Sequence, residues 1–141
     1  MPVLFDSSAY IGALRHGGEG SLAYERWARQ TPLWLSAVVL EELYAGASAQ
    51  DQRIVEKLER DFERAGRILV PNLSDWAAAG RILANVGREY GYEQIGRARL
   101  TNDALIAASA SRTGTTVLTA NARDFGRMAE FCPLTWQVMA G

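Results

Sequence analysis

The chain of 141 residues carries one cysteine and one histidine, and each scarcity excludes a class of chemistry. The lone Cys132 rules out an internal disulfide and a cysteine-rich metal site, and it fits a reducing compartment. With His16 alone, a histidine metal cluster is excluded as well. Basic charge is not in excess: the net charge is -1 and the pI about 5.8, so no global field draws in nucleic acid. Lysine is nearly missing. Lys57 stands alone among 15 cationic side chains, and the others are arginine, which suits forked contacts with phosphate or carboxylate. No apolar run approaches the length of a membrane span, and the first residues show no basic segment followed by an apolar one. The expectation is a soluble cytoplasmic protein.

What is present is enough apolar substance, 48% of residues, for one domain spanning 1–141. Val3, Leu4 and Phe5 read as a buried parallel strand, closed by Asp6 with Ser7 and Ser8 behind it. Gly17, Gly18 and Gly20 mark a turn beside His16, and Ser21 to Gln30 predicts an amphipathic helix ended by Pro32. Leu33 to Leu35 predicts a second strand, with Ser36 capping a helix that Gly46 ends. Ala49 to Ala65 predicts a helix with Ile54, Leu58, Phe62 and Ala65 on its apolar stripe. Arg67 to Val70 reads as a third strand. Ser74 then caps a helix through Tyr90, with Trp76, Gly80, Leu83, Gly87 and Tyr90 on one face; its glycines suggest close approach by another helix or a partner subunit. Gly91 to Arg99 reads as a loop. A helix is expected to open near Asp103, followed by a strand Thr115 to Leu118, a polar turn through Asn121, a further helix past Asp124, and an edge strand within Pro133 to Val138. Strands alternating with helices predict an α/β fold, a three-layer α/β/α sandwich with a mostly parallel sheet.

In such a sheet Asp6 and Asp124 follow strand ends, where open parallel sheets place their binding crevices. Asp103 is expected in a helix's first turn, where it can serve as a capping acid or as a ligand. Helical periodicity turns Glu41 to solvent and sets Glu42 on the flank of the apolar face, where it reads either as a boundary glutamate or as a fourth acid of the cleft. Four carboxylates facing one cleft repel each other and must take up protons or a cation. Magnesium suits oxygen ligands and leaves room for phosphate oxygens, which points to metal-dependent phosphodiester hydrolysis.

The segments LFDSSAYI, SAVVLEELYAG, NDALIAASA and LTANARDF resemble, in order and spacing, those of PIN-domain ribonucleases, and most of all the toxins of VapBC toxin-antitoxin pairs. The resemblance implies a PIN-like fold, Mg2+ or Mn2+ held by Asp6, Glu42, Asp103 and Asp124, and support of that site by Ser8, Thr119 and Asn121. It also implies an RNA substrate, a VapB-type antitoxin and a homodimer, with Tyr24, Trp27, Trp34 and Tyr44 able to form the antitoxin groove or to serve as core. The family often carries a basic residue where this chain has Ala120, so Arg97, Arg99 and Arg123 are the candidates for contact with RNA.

Three other readings compete. A phosphoacceptor receiver needs an acidic pair after the first strand and a late lysine, and neither is present. An aspartyl phosphatase needs a second Asp where Ser8 stands. A PIN-like scaffold that binds RNA or protein without cutting, or a housekeeping nuclease without an antitoxin, keeps the fold and drops part of the function.

Overall fold

Three short strands with no polar interior position, Val3–Phe5 (β1), Leu33–Ser36 (β2) and Thr116–Thr119 (β4), form the centre of the sheet in this computed structural model. Residues 2–15, 32–93 and 95–139 are described, with side chains omitted for 12–15. The expected turn after His16 and the helix Ser21 to Gln30, with Tyr24 and Trp27, lie outside them. Ile68–Leu69 (β3) and Trp136–Val138 (β5) complete five strands in the order β3-β2-β1-β4-β5. Every pairing is parallel, with Leu4 opposite Trp34 on one side and Val117 on the other. The sheet is therefore wholly parallel, and the strand order reverses direction between β1 and β4.

Six helices are described: Ser7–Arg15 (α1), Ala37–Gly46 (α2), Ala49–Ala65 (α3), Leu73–Tyr90 (α4), Ala98–Thr113 (α5) and Ala122–Met128 (α6). α1 touches α2 and α2 touches α3, while α4, α5 and α6 all touch one another. Right-handed crossovers place these two groups on opposite faces, which gives the three-layer sandwich. Leu4, Leu35, Val39, Ile106, Val117 and Phe125 are fully enclosed between the layers. Among the described residues, no helix is long and apolar enough to cross a membrane.

Several expected boundaries shift, with physical consequences. α5 begins at Ala98, so Asp103 is its sixth residue and not a first-turn acid; the good helix formers Ala98, Arg99 and Leu100 extend the helix backwards. The capping and macrodipole reading of Asp103 therefore fails. β4 runs from Thr116 to Thr119, one residue later than expected, which makes Thr119 a buried strand terminus. β3 and β5 are shorter than expected.

The cap of α4 is Asn72, not Ser74, in a capping box with Asp75. Its buried residues are Asp75, Ala79, Ile82, Val86 and Gly87; of the face expected only Gly87 is among them, the stripe sits one step around, and Trp76 is 56% exposed. The reason is Asp75. This acid is buried because Arg112 grips it with Nε and Nη2 at 2.9 to 3.1 Å, a pairing that apolar periodicity cannot register. In α3 Phe62 is buried and Leu58 packs against the core as expected, but Val55 takes the place expected of Ile54, which faces solvent. Gly87 lies under the Tyr92 ring, 2.5 Å from where a Cβ would stand, so the close approach comes from the following turn; nothing described approaches Gly80. Trp34 and Tyr44 are half-buried against the core, and Tyr44 donates a hydrogen bond to Glu59.

Candidate active site

Asp6 follows β1 at the point where the strand order reverses. Its N–H donates to Leu118 O at 3.0 Å, which ties the end of β1 to the end of β4. Its carboxyl is buried and held on both sides: Ser8 Oγ donates to Oδ1, and Thr119 Oγ1 donates to Oδ2 at 2.5 Å. The Asn121 N–H in turn donates to Thr119 Oγ1 at 2.8 Å. The polar turn after β4 thus works as a bracket for an acid 113 residues earlier in the chain. Of the residues expected to support the site, Ser8 and Thr119 donate to Asp6, and Asn121 braces Thr119 through its N–H.

Asp103 projects from the interior of α5 and is 4% exposed. Its carboxyl is pushed up to about 8, first by burial and then by Asp6 and Glu42, with Asp124 adding a smaller push and Arg99 opposing. Four acids from four separate segments therefore share one field. Glu42 is half-buried on α2, while Glu41 is exposed, as periodicity predicted. Burial raises the pKa of Glu42, Asn102 and Ser7 temper the rise, and Oε1 itself is buried without a hydrogen-bond partner. Asp124 is held differently. It sits in the first turn of α6, where Asn121 Nδ2 donates to Oδ2 at 2.8 Å and Arg123 Nε lies 3.4 Å from Oδ1.

These acids do not form a ready-made cage. Among the described residues no three of them converge closely enough to grip one ion together, so the common field is looser than their spacing in sequence implied. A magnesium-type ion needs less, since it binds through one or two carboxylates and keeps several waters. An all-oxygen donor set, an orphaned Glu42 oxygen and an Asp103 carboxyl pushed up by its neighbours fit such an ion in that form.

Beside the acids opens a cleft of about 440 Å³ lined by Ser8, Arg97, Arg99, Leu100, Ala120, Asn121, Arg123 and Asp124. All three arginines expected to contact substrate line it, and Ala120 leaves its wall open where the resembled family often carries a basic residue. Asn102 and Ser7, which temper Glu42, were not singled out beforehand, although each adjoins a candidate acid or its hydroxyl partner in sequence. Arg127 was also missed; it lies three residues past Asp124, on the same side of α6.

Residues 3–131 match the family model of the PIN domain. No relative was found among curated proteins. Among solved structures, the chain is similar to VapBC from Salmonella typhimurium bound to DNA, with a TM-score of 0.72, 23% identity and 98% of each chain covered. It is similar to VapBC2 from Rickettsia felis bound to a promoter DNA fragment, with a TM-score of 0.70, 22% identity, and 99% of this chain and 100% of that one covered. VapBC-1 from nontypeable Haemophilus influenzae gives a TM-score of 0.67 at 25% identity, with 98% of each chain covered. PIN domains are generally nucleases that use divalent metal ions. With the match running from the first strand to beyond the last acid, the chain belongs to the PIN-domain family.

Proposed function

We propose that this chain is a Mg2+-dependent endoribonuclease, with Mn2+ able to substitute, acting as the VapC-type toxin of a toxin-antitoxin pair in the cytoplasm. The observation that carries the reading is Asp103, whose carboxyl is pushed up first by burial and then by Asp6 and Glu42, with a smaller push from Asp124. That arrangement destabilises the empty site and favours a cation in it. Asp6, Glu42, Asp103 and Asp124 are its candidate ligands: one or two of them would hold the ion directly and the others would act through its waters. When bound, it would help a water to lose its proton near neutral pH and would offset charge on the leaving oxygen.

The chain's own groups do the rest. Ser8 and Thr119 fix the Asp6 carboxyl in one orientation, so that its position is set before substrate arrives. Arg97, Arg99 and Arg123 face the cleft and receive the phosphates of a single strand, which an acidic protein can attract only locally. Arg99 also reduces the repulsion felt by Asp103 and Glu42. The VapBC complexes that share the fold support an antitoxin partner, and the family resemblance supports a homodimer.

Purified protein should cut RNA only with Mg2+ or Mn2+ and stop when EDTA is added. Asp6→Asn and Asp103→Asn should fold, by circular dichroism, and cut nothing. Cleavage by either variant at the parent rate would refute the site. A short DNA-binding-type protein encoded in the adjacent upstream frame would favour a toxin over a housekeeping nuclease. The looseness of the acids favours one second reading, a PIN scaffold that binds without cutting. Calorimetric titration with Mn2+ separates the two, since a scaffold shows no saturable binding that Asp103→Asn removes.

A further inference from the structure

A second, smaller pocket of about 40 Å³ opens beside the main cleft and shares Leu100 and Asp124 with it as a common wall. Its other lining includes Tyr90, Gly91, Glu93 and Arg127. We propose that this pocket is a base-recognition subsite for the guanine adjoining the scissile phosphate, an inference that rests on the ribonuclease reading above.

The pocket is built and fixed. The Arg127 guanidinium lies 4.2 Å over the centroid of the Tyr90 ring, and the Tyr90 hydroxyl donates to Glu130 Oε2 at 2.5 Å, which pins the ring from its far end. A guanidinium held over the ring in this way offers a planar cation against which a base of single-stranded RNA can stack. The opposite wall is a tight turn. Gly91 and Gly96 adopt positive φ, Ile95 N–H donates to Tyr92 O at 3.1 Å, and the Tyr92 ring packs on Gly87. That turn folds the Glu93 carboxyl back toward Gly91, with Oε2 3.8 Å from where a Cβ on Gly91 would stand.

The volume is a few times the roughly 10–15 Å³ that one water needs, so the pocket takes the edge of one planar ring and not a whole nucleoside. A carboxylate accepts hydrogen bonds and cannot donate them. Guanine presents two adjacent N–H donors on its Watson–Crick edge, matching both oxygens of Glu93, whereas adenine, cytosine and uracil present one donor beside acceptors. The shared wall at Asp124 sets this base next to the acids, while the flanking phosphates run along Arg97, Arg99 and Arg123.

The test has two arms. Parent protein and Glu93→Gln are given an RNA pool randomised on both sides of one cut, with Mn2+, and the product ends are sequenced. Separately, 5′-GMP, 5′-AMP, 5′-CMP, 5′-UMP and inorganic phosphate are titrated while amide chemical shifts are followed. The expected result is about tenfold enrichment of guanine at one position flanking the cut, abolished in Glu93→Gln, with 5′-GMP at least about tenfold tighter than the other nucleotides. Cutting without base preference, or an unchanged preference in Glu93→Gln, overturns the subsite and leaves the ribonuclease reading intact. If no RNA is cut, the ribonuclease reading fails and the titration alone decides: selective shifts with 5′-GMP retain the subsite. Equal shifts from all four nucleotides or from phosphate remove it.

Discussion

At the residue scale, Asp103 sets stability against function. Its folded carboxyl binds a proton up to about pH 8, whereas an ordinary aspartate releases it near pH 4, so between those values the folded chain holds the extra proton. Stability of the metal-free protein should therefore be highest below about pH 4 as far as this group is concerned, fall as pH rises toward 8, and level off above. Thermal unfolding in EDTA across that range measures the fall, and saturating Mg2+ should flatten it. Asp103→Asn removes the charge that burial opposes, so at pH 8.5 it should raise the metal-free Tm while abolishing cleavage, a trade expected of a functional residue. Asp75 is the contrasting case. Burial works against its charge, but the Arg112 guanidinium and the Asn72 N–H outweigh that and hold the carboxyl below the usual range. Arg112→Ala should cost about 2–3 kcal/mol in urea unfolding, less than a fully enclosed pair, because the Arg112 side chain keeps 38% of its exposure. Its effect on cleavage should appear only through the folded fraction.

At the scale of the element, the helices show which parts of the sequence were legible. α2 and α3 fall where the sequence placed them, because Ser36 and Gly66 are unambiguous punctuation and the stripe between them repeats at helical spacing. α5 was not legible at its start, since Arg97 caps it without a side-chain hydrogen bond and leaves no local mark. The apolar face of α4 was misread because its most tightly held residue is an ion-paired acid. Gly80 and Gly87, two signals of the same kind in sequence, separate sharply in space. Gly80→Ala should stabilise by about 0.5–1 kcal/mol, as its position is open and helical. Gly87→Ala should destabilise by about 1–3 kcal/mol through its clash with Tyr92, which denaturant titration of the pair will resolve by opposite sign. Strand ends marked Asp6 and Asp124 and helical phase marked Glu42, whereas Asp103, which lies in the interior of its helix, was marked by the family spacing alone. Their looseness was not, because carboxylate separations depend on side-chain torsions that no sequence pattern encodes.

At the scale of the whole molecule, an acidic chain with the proposed ribonuclease activity must gather its positive charge locally. Three arginines line the cleft, so single-stranded RNA binding should weaken with salt along a log–log slope of about -2, far shallower than for a broad basic surface. Fluorescence anisotropy of a labelled RNA in Ca2+, from 50 to 300 mM KCl, gives that slope. A slope steeper than about -5 would mean that most of the footprint lies outside the cleft. The bracket between Thr119 and Asp6 has a further consequence for timing. The two ends of that contact are 113 residues apart, and β4 can be added beside β1 only after the chain has been made through Thr119. A chain broken before Thr119 lacks both the β1–β4 pairing and the hydroxyl that orients Asp6, and should show no cleavage in the assay proposed above.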